Sequence, residues 1–146
     1  MLSRSPSLLL AAVALVLTAG CASPPPDLDL SLQHPSANGR FIVALQPPPK
    51  PAAINQLHSW QIRLTTADGA PVQGARIAID GGMPQHGHGL PTRPQVTQQL
   101  ADGSYLLEGM KFSMGGWWEI KLNIEAAQGS DKVTFNTVVA QPKAGL

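Results

Sequence analysis

The stretch from Gly81 to Pro94 carries His86 and His88, two residues apart and each followed by glycine, with Met83 three residues ahead of the pair. In an extended segment, side chains at i and i+2 share a face. The glycines let the backbone bend so that both imidazoles converge, and Pro84 and Pro91 reduce the entropy lost on ordering the loop. Met110 and Met114 lie together in the run Gly109 to Trp118. Imidazole combined with thioether suits copper, Cu(I) above all. Zinc prefers thiolate, imidazole or carboxylate, and the only thiol, Cys21, is expected to be consumed by a lipid anchor. His58 falls in phase with Trp60 and Ile62, on the core face near the start of its strand. The candidate metal ligands are therefore His58, His86, His88, Met83 and Met114.

Each of these residues also has an ordinary explanation. Methionine fills irregular gaps under loops, His-Gly-His serves as a polar turn, and a core histidine is held by a hydrogen-bonded partner. Both readings stay open on sequence grounds. His34, in a Pro-rich segment, is assigned no role.

Catalytic chemistry finds little to build on, and the chain is expected not to be an enzyme. His86 or His88 with Asp80 and Ser113 would form a triad only by tertiary accident, because no nucleophile elbow accompanies them. No glycine-rich loop precedes a helix, so a phosphate cradle is absent. Nothing among the nine acidic residues marks a carboxylate pair. Trp60, Trp117 and Trp118 suggest a sugar platform, but strand alternation sends one of the adjacent pair inward. Ten basic residues against nine acidic ones give a net charge of +1, which excludes a general nucleic-acid surface.

The N-terminus reads as an address. Arg4 precedes the ten-residue apolar run Leu8 to Leu17. That run is too short to span a bilayer but has the length of a signal-peptide core. Leu17-Thr18-Ala19-Gly20-Cys21 resembles the lipobox of bacterial lipoproteins, with the only cysteine at the position that lipidation requires. Residues 1–20 are then a signal peptide and Cys21 the lipidated new N-terminus, fixing the protein to a membrane without a spanning segment. A single cysteine also excludes an intramolecular disulfide. The expected location is the periplasm-facing cell envelope. Ala22 in place of Asp, by resemblance to enterobacterial sorting, favours the outer over the inner membrane.

The elements that must position the histidines follow from periodicity. Residues 21–38, with Pro24-Pro25-Pro26, read as a Pro-rich tether holding the domain off the bilayer. Its Leu28, Leu30, Leu32 alternation offers an edge strand as the alternative. Residues 39–141 show period-two patterning with turn punctuation, and 142–146 form a tail. Strands are expected over 40–45, 56–65, 74–80, 95–100, 104–109, 116–125 and 131–140. Asp102-Gly103 marks a hairpin. Seven strands in about 100 residues suit an all-β, immunoglobulin-like β-sandwich.

Several segments together resemble the YtkA-like family of bacterial envelope proteins, and are similar to the FixH-like group associated with cytochrome oxidase assembly. They are Leu57-His58-Ser59-Trp60, Gly81 to Thr92 with its Met-Pro-x-His-Gly-His-Gly core, Gly103-Ser104-Tyr105, and Gly109 to Glu119. The likeness runs from about Leu57 to Leu122. It implies a β-sandwich, often lipid-anchored or membrane-tethered, with some members placed near copper handling. Where the family has Met-Pro-Gly before the tryptophan, this chain has Met114-Gly115-Gly116, a looser turn. The leading expectation is an anchored envelope lipoprotein binding copper for delivery or buffering. The alternative is a metal-free structural or interaction module with an envelope protein partner.

Overall fold

Alternation of apolar and polar side chains sets the strands. In β8 (Gly116–Ala126), Trp118, Ile120, Leu122 and Ile124 are buried, while Lys121, Asn123 and Glu125 face water. The computed structural model describes residues 23–51 and 53–142. The expected signal peptide and Cys21 lie outside the described residues, as does most of the tail.

Nine strands are present: β1 (Gln33–Pro35), β2 (Phe41–Gln46), β3 (His58–Thr66), β4 (Arg76–Met83), β5 (His88–Gly89), β6 (Gln95–Gln99), β7 (Tyr105–Met110), β8, and β9 (Gly129–Val139). They form two antiparallel sheets, ordered β1-β2-β3-β7-β6 and β5-β4-β8-β9. The architecture is all-β and consistent with an immunoglobulin-like sandwich. The seven expected strands are all there, and β1 and β5 are additions. Among the described residues no helix is long and apolar enough to cross a membrane.

Phe41, Val43, Leu45, Trp60, Ile62, Leu64 and Leu107 of the first sheet close on Trp118, Ile120, Leu122, Val133 and Phe135 of the second. Each such side chain contributes roughly 1.5–3 kcal/mol on leaving water. The crossover from β3 to β4 is pinned by Tyr105, whose hydroxyl donates to the Val72 carbonyl (2.6 Å) and accepts from the Ala75 N–H (3.0 Å).

The tether differs from expectation. Residues 23–35 lie along the domain instead of leading away from it. The Leu45 N–H donates to the Leu32 carbonyl, Asn136 donates to that of Asp29, and β1 pairs with β2 from Gln33↔Ala44 to Pro35↔Ile42. The edge strand that forms is Gln33–Pro35, just past the leucine alternation, whose Leu30 and Leu32 stay exposed outside any strand. His34, read as incidental, sits opposite Val43 with its ring 4.9 Å from that of Phe135. The sequence reading missed it because three residues are too few to show a period.

Pairing fixes which strand ends meet. Gln46↔Gln61 and His58↔Met110 gather the end of β2, the start of β3 and the end of β7. Gly82↔Glu119 and Gly116↔Val139 gather the end of β4, the start of β8 and the end of β9. Phe112 joins the two groups, its ring 5.3 Å from His58 and 5.2 Å from Trp118. All five candidate ligands therefore belong to one end of the sandwich, here the proximal end.

Candidate functional site at the proximal end

The His86/His88 loop is shaped by two glycines. A Cβ on Gly81 would meet the Glu119 carbonyl oxygen at 2.2 Å, and one on Gly82 would meet that of His88 at 2.1 Å. Only bare backbone lets β8 and β5 approach β4 this closely. The chain then folds back in a four-residue turn, with the His86 N–H donating to the Met83 carbonyl at 3.1 Å, and β5 pairs as Gly82↔Gly89 and Met83↔His88. The His86 and His88 rings stack with centroids 6.0 Å apart and planes inclined by 23°. Both residues are exposed.

Met83 ends β4. As the direct cross-strand partner of His88 it shares that residue's side of the sheet, where opposite Cβ atoms stand about 5 Å apart. It is 2% exposed, with its terminal methyl over Gly116. Met114 packs against the core nearby, and its carbonyl accepts the Trp118 indole N–H at 3.1 Å.

His58 is engaged otherwise. Its Nδ1 accepts the Trp60 indole N–H at 2.8 Å, and burial holds its pKa below the ordinary 6.5, so the ring is neutral. A neutral imidazole whose Nδ1 accepts must carry its proton on Nε2, which leaves no lone pair for a metal. That Nε2 is buried without a partner. Of the two sequence readings of His58, this geometry supports the core histidine with a hydrogen-bonded partner.

The five residues thus share an end but not a point. His86 and His88 stand together on the exposed turn with Met83 paired to His88 but buried in the core, His58 faces Trp60 and Phe112, and Met114 braces Trp118. Among the described residues no three His, Cys, Asp or Glu side chains gather as a metal site. A protein-made site at the loop would therefore need a thioether to exceed two ligands. Two imidazoles bridged by one metal atom hold their centroids roughly 5–6 Å apart, given metal–nitrogen bonds of ~2.0 Å. The observed centroids stand 6.0 Å apart, but because imidazole lone pairs lie in the ring plane, the two nearly parallel rings must turn before both can reach one atom.

Sequence reasoning missed an apolar groove of about 720 Å³ at the same end, bounded by Leu30, Leu32, Pro48, Trp60, Phe112 and Val138. Its walls come from five segments distant along the chain, so no local motif announces it. It also missed the polar cluster at the opposite end. There Asp131, buried in β9, accepts from the Ser36 hydroxyl (2.6 Å), the Asn38 amide (2.9 Å), and the Arg40 (3.3 Å) and Lys132 (2.9 Å) N–H groups. Burial pushes its pKa up, but these donors, Ser36 foremost, bring it down to about 2.

The sequence profile of the YtkA-like family matches residues 38–123, more than half of the chain. The protein belongs to the YtkA-like family. The match begins before the start of β2 and ends within β8, so it takes in the whole His86/His88 loop and both glycines that shape it. β9 and the docked N-terminal segment, which complete this YtkA-like sandwich, fall outside it. No curated protein and no solved structure matches the chain.

Proposed function

We propose that this YtkA-like protein is a lipid-anchored envelope protein that binds copper(I) through His86 and His88, with Met83 as third donor, for delivery or buffering. The supporting observation is two exposed imidazoles with centroids 6.0 Å apart, on a loop whose β4–β5 register pairs His88 with Met83. Imidazole and thioether are soft enough to hold Cu(I) in preference to hard cations. The exposed rings give a metal an entry path, while the buried Met83 fixes the floor of the loop. Binding, not catalysis, is the role. The anchor reading rests on Cys21 and the apolar run before it.

Competitive Cu(I) titration of the full-length protein in detergent tests the metal site. The wild type is expected to outcompete a chelator that the His86→Ala/His88→Ala variant cannot. Met83→Leu keeps the volume of the side chain and is expected to weaken Cu(I) binding while sparing the fold. Equal weak binding by all three proteins would overturn the copper reading. It would leave the metal-free interaction module, which the apolar groove favours.

A further inference from the structure

The docked N-terminal segment has a consequence for orientation. Its first described residue, Ser23, offers its carbonyl to the Gln85 side-chain amide at 2.7 Å, beside His86 in the turn between β4 and β5. Two peptide units separate Ser23 from Cys21, so the two Cα atoms stand no more than about 8 Å apart. The segment is held further along by Asn136 on the Asp29 carbonyl and by the Leu45 N–H on that of Leu32.

Exposed apolar side chains follow the same geography. Leu30, Leu32, Leu57 and Val138 are the exposed large hydrophobics among the described residues, with Leu57 at 69%. Leu57 precedes β3 at its proximal start, Val138 pairs with Trp117 near the start of β8, and Leu30 and Leu32 border the proximal groove. The distal end instead carries Asp68, Asp102 and the Asp131 cluster.

We infer that the proximal end of the sandwich seats directly on the lipid surface that holds the anchor, so that the His86/His88 turn faces the headgroup layer and not open solvent. This rests on the reading of Cys21 as lipidated. An attachment point within about 8 Å of Ser23 leaves no slack for the domain to turn over while the segment stays docked. Burying four exposed apolar side chains in the interface favours the same pose, at about 25 cal/mol per Å² removed from water. A metal ion on the His pair would then exchange with a partner at or in the membrane.

The test uses the full-length lipoprotein in vesicles of phosphatidylethanolamine and phosphatidylglycerol at about three to one. One environment-sensitive fluorophore is placed by Leu57→Cys and another, in a separate protein, by Ala127→Cys in the distal β8–β9 turn. Both sites are exposed, so neither change disturbs the core. Both proteins are expected to float with the vesicles. Headgroup-region quencher lipids are expected to quench the label at position 57 several-fold more than that at 127. Flotation with equal quenching at both positions overturns the orientation alone. Failure to float, or flotation of a Cys21→Ser variant, overturns the anchor reading and the orientation with it.

Discussion

The indole N–H of Trp60 donates to Nδ1 of His58 at 2.8 Å, two residues back along β3. That bond fixes the tautomer of the imidazole, removes its one free lone pair, and separates a structural histidine from the exposed pair in the neighbouring loop.

His58 should make the fold sensitive to mild acid. Its pKa is lowered by burial, so below pH 6.5 the unfolded chain takes up a proton that the native ring still refuses. Stability therefore falls with pH from 6.5 down to the depressed native value. Thermal melts across pH 7.5 to 5.5 should show His58→Phe gaining on the wild type as the pH drops. A constant difference between the two would contradict this.

Asp131 should act in the same direction, losing stability on acidification, but in stronger acid. Its carboxyl is held near 2 against an ordinary 3.8, so the stability it supplies is complete above about pH 4 and is lost as pH falls towards 2. Asp131→Asn removes the charge that four residues donate to, and charge-assisted bonds of this kind are worth about 1.5–3 kcal/mol each. A drop in Tm of at least about 5 °C at pH 7 is expected, narrowing near pH 2.5. An unchanged Tm at neutral pH would show the cluster to be dispensable.

Gly82→Ala should detach the histidine loop without dissolving the sandwich. The new Cβ would lie 2.1 Å from the His88 carbonyl oxygen, so the β4–β5 pairing must open. Two ladder positions are lost, and the core strands keep their partners. Amide exchange at positions 88–90 should accelerate while that of β8 stays slow, and Cu(I) affinity should fall with it. Protection retained at His88 and Gly89 would disprove the steric argument.

The His86→Ala/His88→Ala pair should be nearly silent in stability. Both side chains are exposed and are not acceptors or donors in any side-chain bond of the loop's frame, so Tm is expected to stay within about 3 °C of wild type. A large loss would mean that the pair braces the fold, and would weaken the metal reading.

Local pattern carried the strands well. Trp117 and Trp118 diverge as alternation demands, the first bonded to Asn136 on the outer face and the second fully buried. Pro and Gly punctuation placed the loop between β4 and β6, and His58 was correctly set on the core face by its phase with Trp60. The pairing of β5 with β4 was not legible, because two residues have no periodicity and the approach depends on Gly82 meeting a carbonyl across the turn. The folding back of residues 23–35 was equally hidden. Their proline content describes a chain stiff enough to extend, and says nothing of the carbonyls that Gln85 and Asn136 would capture.

By itself the sequence determined the strand content, the two-sheet architecture and the family, since these rest on short-range alternation and turn chemistry that each segment carries alone. Tertiary structure decided which histidines lie side by side and which way the proximal end is tied to the N-terminus. Those outcomes depend on pairing register and on single hydrogen bonds between residues as distant as Ser23 and Gln85, and such contacts leave no trace in the spacing of residues along the chain.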